Sequence, residues 1–452
     1  MAPALPPGFL RYAGERIPRY TSYPTAPFFT PDIGEAQARQ WLGALDPDAT
    51  ASLYFHVPYC RSLCWYCGCH TKIPADDTAI IRYVETLIAE IDMVASLVPE
   101  HLRISHLHWG GGTPTVIGSS ALNRVLAAVR RSFRYDAGAE LAIEIDPRTL
   151  TPGMAYALGE CGFTRASLGI QTFDPIVQQA IHRVQSAEIT EAAVYHLRQA
   201  GIAALNVDLI YGLPHQTIAS CKSTVERVVA LEPDRIAVFG YAHVPSLKPH
   251  QRHLDESALP DAMMRFDQAE TIAEAFVAAG YRRIGLDHFA KPGDAMTKAL
   301  DAGKLRRNFQ GYTTDQADAL LGFGASSIGR LPQGYIQNTP RIGAYQEAIA
   351  AGRLPIVRGY ALSPEDRLRA DVIERLMCDL AVDLRAAVLA HHVPGMDFRR
   401  ERAALGELAE EGLVRISGDT IAVPEAMRPF VRKVAAVFDA AQVKTATHAP
   451  AV

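Results

Sequence analysis

Four of the seven cysteines in this chain fall within ten residues: Cys60, Cys64, Cys67 and Cys69. Thiolates are soft ligands that suit zinc or iron–sulfur clusters. A structural zinc site ordinarily pairs one close cysteine couple with a second, distant one. Here three cysteines at x-x-x and x-x spacing crowd a single loop, and the remaining Cys161, Cys221 and Cys378 stand alone. Three close thiolates suit three corners of a four-iron, four-sulfur cube, with one iron left free for another ligand. A fortuitous group of buried or zinc-bound cysteines is the competing reading. An odd cysteine count in a long chain also argues against a disulfide framework.

The elements around the loop show what must hold it. Short apolar runs recur at Leu53–Val57, His106–Trp109, Leu141–Ile145, Ala166–Ile170, Asn206–Tyr211, Arg235–Tyr241 and Arg282–Leu286. Several are nearly continuous, as in strands buried on both faces of a parallel sheet. Helical patterns lie between them. Ile80, Val84, Leu87, Ile91 and Val94 recur at three-to-four spacing, and so do Phe266, Ala269, Ile272, Phe276 and Ala279. Gly162, Gly201 and Gly280 punctuate helix ends. Strand, helix, glycine, strand predicts an α/β fold with a complete or partial (β/α) barrel. In such barrels chemistry sits at the C-terminal ends of strands, where the cysteine loop begins.

The proline-rich segment 1–45 reads as an extension over the barrel mouth, and 46–345 as the barrel. Segment 346–452 reads as a mainly helical domain. In it, a helix from Pro364, a second near Arg402–Glu411 and a hairpin turning at Ser417-Gly418-Asp419 resemble a winged-helix unit. Such units often bind DNA, but mixed charge favours a packing or lid role here.

The 452 residues are 48% hydrophobic and 21% charged, which excludes disorder over most of the chain. A formal net charge of −4 argues against nucleic-acid wrapping. No apolar run approaches the ~20 residues of a membrane span. Met1–Pro7 has neither the charged nor the apolar region of a secretory leader, so a cytoplasmic location is expected.

Further motifs accompany the cysteines: Arg19-Tyr20-Thr21-Ser22-Tyr23-Pro24, His108-Trp109-Gly110-Gly111-Gly112-Thr113-Pro114-Thr115, Glu144-Ile145-Asp146-Pro147-Arg148, Asp208-Leu209-Ile210-Tyr211-Gly212-Leu213-Pro214, Asp287-His288-Phe289-Ala290 and Asn308-Phe309-Gln310-Gly311-Tyr312-Thr313-Thr314. Cys-x-x-x-Cys-x-x-Cys resembles the signature of the radical S-adenosylmethionine (SAM) superfamily. With Cys69 and the other motifs, the chain resembles the oxygen-independent coproporphyrinogen III oxidases. The resemblance runs from about residue 19 into the C-terminal domain. A shortened haem-binding relative would lack the Tyr20–Pro24 and Asn308–Thr314 motifs, and both are present.

The resemblance implies a partial radical SAM barrel and specific roles for these residues. Cys60, Cys64 and Cys67 would hold one four-iron, four-sulfur cluster, with Cys69 a neighbour rather than a ligand. The free iron would take SAM, whose cleavage yields a 5′-deoxyadenosyl radical. Tyr54, Tyr66, Gly111, Gly112, Thr113, Glu144, Gln171, Arg183 and Asp208 would contact SAM. Gln171 ends a strand, and Arg183 is placed in the helix that follows it. Such residue types suit the task, because carboxylates and amides receive hydroxyls and arginine pairs with a carboxylate. The glycines would let the backbone approach the ligand. Ala242 and Ile328 match positions lining a second SAM site, and Phe309 and Gln310 match its pocket. Thr172 stands where many relatives carry an acid.

The implied reaction is oxidative decarboxylation of two propionates of coproporphyrinogen III to vinyls, giving protoporphyrinogen IX in haem biosynthesis. It would need an electron donor and an acceptor not named by the sequence. The enzyme is expected to be a monomer. A tetracarboxylate substrate requires arginines or lysines at the barrel mouth. Arg19, Tyr23, His288, Phe309 and Gln310 are the pocket candidates.

Overall fold

The computed structural model describes residues 12, 15 and 17–441. The leader reading of Met1–Pro7 lies outside them. Six parallel strands follow one another in order: β1 (Thr50–Val57), β2 (Arg103–Gly111), β3 (Arg134–Ile145), β4 (Arg165–Gln171), β5 (Ala204–Tyr211) and β6 (Arg235–Gly240). β7 (Arg282–Ile284) and β8 (His288–Ala290) extend that edge antiparallel. β9 (Arg306–Asn308) and β10 (Gly311–Thr313) form a separate hairpin. β11 (Ala319–Phe323) then returns to pair parallel with β1 on its other side. β12 (Ile328–Leu331), β13 (Gly334–Asn338) and β14 (Ile356–Ala361) complete that edge antiparallel. The two edges do not meet, so the twelve-stranded sheet is a partial barrel.

The apolar pattern explains the layering. In β1 no residue is fully exposed, because a helix layer covers one face and the barrel interior the other. Helix Asp77–Ala95 starts where the Asp76 side chain accepts from the Ala79 N–H at 3.0 Å. Its Ile80, Val84, Leu87, Ile91 and Val94 are buried in the main core. Gly162, Gly201 and Gly280 follow helix ends with φ of +85°, +85° and +92°. Only glycine takes such φ without strain, which is why it punctuates these βα units.

A second core joins the two ends of the chain. Tyr12, Ile17, Tyr20 and Tyr23 pack with Leu368, Val372, Leu376 and Phe430. The N-terminal segment therefore runs between the barrel mouth and the C-terminal helices. Helix Ile342–Ala350 crosses the expected 345/346 junction, and the large sheet continues to Ala361. Beyond it come helix Pro364–Asp379, β15 (Ala381–Asp383), helices Leu384–Ala390 and Arg399–Glu410, then the hairpin β16 (Arg415–Ser417) and β17 (Thr420–Ala422). β15 pairs with β17, so the hairpin that the sequence suggested gains a third strand that it did not. Among the described residues no helix is long and apolar enough to cross a membrane.

Candidate active site

The cysteine loop leaves the C-terminal end of β1 and is closed at its base. Lys72 N–H donates to Pro58 O at 2.8 Å, and Cys60 N–H donates to Lys72 O at 3.1 Å. Its crest is pinned from outside. Trp65 N–H donates to Ile181 O at 3.0 Å, and its ring stacks 5.1 Å from His182. His250 Nε2 lies 2.7 Å from Cys67 O, and Lys248 Nζ donates to Cys69 O at 2.9 Å.

Each of the three expected ligand sulfurs has donors aimed at it. Cys60 Sγ accepts from Thr71 Oγ1 at 3.2 Å and Thr113 Oγ1 at 3.5 Å. Cys64 Sγ accepts from Arg183 Nη1 at 3.5 Å and Arg148 Nη2 at 3.6 Å. Cys67 Sγ accepts from Cys69 N–H at 3.4 Å. The Cys69 thiol also hydrogen-bonds Cys67 and, against the effect of burial, brings it down to about 7. Donors of this kind favour thiolates and tune a bound cluster. Among the described residues no group of three His, Cys, Asp or Glu converges on one metal ion.

The loop faces a cavity of about 610 Å³, walled by strand ends. Cys60, Cys64, Tyr66, Cys67, Gly111, Gly112, Thr113, Glu144, Gln171, Arg183, Asp208 and Ala242 all line it. Glu144 accepts from Gly111 N–H at 3.2 Å and lies 3.2 Å from His108 Nε2. Asp208 accepts from Ser167 Oγ at 3.2 Å. Burial and then the charge of Glu144 raise Asp208 to about 7. Gln171 ends β4 at φ +70°, beside a break in the β4–β5 register. A left-handed glutamine at a strand end is strained backbone of the sort found at binding sites.

Arg183 differs from expectation in its placement. Helix Pro175–Ala180 ends before it, and Arg183 sits in the following loop. A loop can turn the guanidinium back under the sheet, where Nη2 donates to Gly169 O at 2.7 Å and pairs with Asp146 Oδ1 at 3.3 Å. Its side chain is 7% exposed, and Nε has no hydrogen-bond partner. Burial alone would raise Asp146, but the Arg148 hydrogen bond and the Arg183 charge hold it below the ordinary carboxylate range. The glycines also differ in their reason. A Cβ at Gly111 would meet the His56 ring at 2.7 Å, and one at Gly112 the Tyr59 carbonyl oxygen at 2.5 Å. Neighbouring protein, as well as any ligand, requires them bare.

A second cavity of about 450 Å³ shares walls with the first at Glu144, Asp208, Phe239 and Phe309. Tyr54, His288, Phe309 and Gln310 line it. Tyr54 OH bonds His56 Nδ1 at 3.0 Å, and burial lowers His56 to about 4. His288 Nδ1 lies 2.8 Å from Asp287 Oδ1. Arg19 reaches the cysteine cavity and donates from Nη2 to Gly240 O at 2.9 Å. Tyr23 accepts from Ala440 N–H at 3.2 Å and lines a further cavity of about 500 Å³, which shares Asn308, Phe309 and Thr313 with the second. Ile328 lies in β12 and lines none of these cavities. Thr172 is buried against Thr224, turned away from the cavity. Sequence reading assigned no role to Thr71, Asp146, Arg148, Lys248 or His250. Asp146 and Arg148 lay inside a quoted motif, whereas Lys248 and His250 reach the loop from almost two hundred residues away.

A cysteine loop at the mouth of a partial (β/α) barrel, with sulfur-directed donors and a carboxylate-lined cavity, is the architecture of the radical SAM superfamily, whose pattern matches residues 54–228. Full-length relatives narrow this. The oxygen-independent coproporphyrinogen III oxidase of Bradyrhizobium diazoefficiens is 54% identical over 95% of each chain. That of Paracoccus denitrificans is 44% identical over 97% of each. The solved coproporphyrinogen III oxidase of Escherichia coli, a radical SAM enzyme, superposes with a TM-score of 0.89 at 36% identity, covering 95% of this chain and all of that one. The chain belongs to the oxygen-independent coproporphyrinogen III oxidase family. The family's cofactors are SAM and a four-iron, four-sulfur cluster, and the three hydrogen-bonded sulfurs beside a 610 Å³ cavity fit both.

Proposed function

We propose that this chain carries out anaerobic haem biosynthesis by converting coproporphyrinogen III to protoporphyrinogen IX. The observation that carries the reading is convergence: the cysteine loop, Glu144, Gln171, Arg183 and Asp208 border one cavity, which adjoins a second lined by His288, Phe309 and Gln310. Cys60, Cys64 and Cys67 hold the cluster. When bound, cluster and SAM supply the one-electron chemistry that removes a hydrogen atom from a propionate β-carbon, after which carbon dioxide and one electron leave and a vinyl group remains.

The chain's own side chains position and shield. Glu144, Asp208 and Gln171 receive hydroxyl and amino donors of SAM, and Arg183 faces its carboxylate. Tyr66 offers an aromatic wall, and the bare backbone at Gly111–Thr113 offers polar groups. Asp146 keeps Arg183 aimed. Tyr54 braces His56 beside the second cavity, where Phe309 and Gln310 border the substrate space, while Ala242 borders the cysteine cavity. The reading includes an external electron donor, a separate acceptor, action as a monomer and a cytoplasmic location. We divide the chain near Leu362–Ser363, where the large sheet ends and the C-terminal helices begin.

Anaerobic reconstitution with iron and sulfide, followed by SAM and coproporphyrinogen III, tests the reading. Two carbon dioxide molecules and protoporphyrinogen IX per substrate are expected. An intact cluster that cleaves SAM yet leaves the propionates unchanged would overturn it.

A further inference from the structure

Behind Arg19 lies a fourth, smaller cavity of about 70 Å³. Arg19 and Gly240 belong to its wall and to the wall of the cysteine cavity, so the two adjoin there. Its lining is unusual in charge: five arginines face two carboxylates. One arginine is neutralised locally, since Arg283 Nη2 pairs with Glu270 Oε1 at 3.0 Å. Asp287 faces Arg307 Nη1 at 3.9 Å and is already engaged by His288. Arg265 has no carboxylate within ion-pair distance among the described residues, and its Nε has no hydrogen-bond partner. The Arg307 side chain is 4% exposed, and its Nη1 lacks a hydrogen bond. Burial, then the charge of Arg19, lowers Arg432 to about 10.

The fold makes room for this arrangement. Arg265 lies 5.6 Å over the Tyr211 ring, and its guanidinium occupies the space a Cβ would take at Gly212, whose φ is +80°. Buried charges are ordinarily paired, because an unpaired one loses its hydration without compensation. The unfilled hydrogen-bonding capacity of Arg265 and Arg307 on one cavity wall therefore suits an anion. The adjoining cavity supplies one, if it holds a substrate bearing four propionates.

We propose that this cavity is a carboxylate-binding subsite that grips one of the two propionates the reaction leaves intact. The proposal rests on the function proposed above. A retained propionate is the better guest on chemical grounds. A reacting carboxylate must leave as neutral carbon dioxide, and several guanidinium groups would stabilise the anion against that loss. A grip on a retained propionate instead orients the macrocycle while the reacting side chain faces SAM.

The test uses two unreactive probes with anaerobic, iron-loaded enzyme. Coproporphyrin III carries all four propionates, and mesoporphyrin IX carries ethyl groups in place of the two that react. R265Q should weaken both by roughly tenfold in fluorescence titration. R265K should weaken them less, because the charge remains but the fork is lost. KM for coproporphyrinogen III should rise while kcat changes little. Iron content and the unfolding midpoint should match wild type. Unchanged affinity for both porphyrins in folded R265Q would overturn the subsite. A loss confined to coproporphyrin III would also overturn it, by assigning the cavity to a reacting propionate. If R265Q fails to fold, R19Q is read by the same criteria, since the Arg19 guanidinium donates to the Gly240 carbonyl and lies over the Phe239 ring at 6.0 Å, with no carboxylate partner among the described residues. Wild-type enzyme that leaves coproporphyrinogen III unconverted fails the proposed function instead, whatever the variants do.

Discussion

The network around Glu90 and the wall of the cysteine cavity are both polar, both buried and both beside β1. Glu90, 1% exposed, accepts from Gly324 N–H and Tyr345 OH at 2.7 Å through Oε2, and from Asn338 Nδ2 at 2.6 Å through Oε1. Tyr83 OH donates to His56 O at 2.7 Å and accepts from Ala325 N–H at 2.9 Å. Both carboxylate oxygens have partners, and the residues there hold helix Asp77–Ala95 against the β11–β13 edge. The cavity wall is different. Arg183 Nε has no partner, Gln171 is strained, and Asp208 is engaged through one oxygen only. A satisfied buried network specifies a fold. Unfinished hydrogen bonding in a concavity leaves capacity for a ligand.

The sharpest test of this contrast removes one group from the cavity side. Cys64→Ala should abolish iron binding and activity, read as acid-labile sulfide and the cluster's visible absorbance. Cys69→Ala should leave iron near the wild-type level, because Cys69 donates to Cys67 rather than completing a ligand set. Equal iron loss in both would break the ligand assignment. Arg183→Lys comes next. It keeps a charge near Asp146 but cannot span Asp146, Gly169 O and Cys64 together. SAM affinity should fall ~10–100-fold with iron retained, measured by equilibrium binding.

Much of this was legible in the sequence, and the reasons are physical. Strands buried on both faces declare themselves as apolar runs, so β1 to β6 could be read locally. The three cysteines are close in sequence because one loop must present them. Tyr23 was harder. Its motif was visible, but whether its hydroxyl meets substrate or the backbone at Ala440 depends on a contact more than four hundred residues away. Arg183 was given to a helix because nothing local marks the end of Pro175–Ala180, while its ion pair with Asp146 depends on the loop beyond. The arginines around the 70 Å³ cavity come from five separated segments, so only their need could be inferred beforehand.

The Glu90 side predicts an effect on stability rather than catalysis. Burial raises the Glu90 carboxyl to about 7 despite its hydrogen bonds. A carboxyl raised above its unfolded value binds more protons in the native state. Its stabilising contribution is thus full below about pH 4.5 and is lost as pH rises through about 7. The loss is on the order of 3 kcal/mol. Glu90→Gln keeps the shape and removes the titration, so the urea midpoint should fall less between pH 5 and 8 than in wild type. Asp208, also raised to about 7, should leave a residual slope in the variant. Activity at neutral pH should be unchanged. An identical pH slope in wild type and variant would mean that Glu90 does not titrate in the folded protein.

The smallest effect expected comes from the rim of the cysteine loop. Thr71 Oγ1 donates to Cys60 Sγ at 3.2 Å, and Thr113 Oγ1 reaches the same sulfur at 3.5 Å. A donor to a ligand sulfur stabilises the reduced cluster more than the oxidised one, because reduction adds negative charge to the sulfur. Thr71→Val removes the shorter bond and preserves the branched shape. One hydrogen bond of about 1 kcal/mol corresponds to about 40 mV for one electron, so the midpoint should move by that amount to more negative potential. Iron content should not change, since the ligand itself remains. Potentiometric titration followed by electron paramagnetic resonance reads the shift. A shift of the same size in Glu90→Gln, which lies on the satisfied side of β1, would show that the two regions are coupled electrostatically and would end the separation between them.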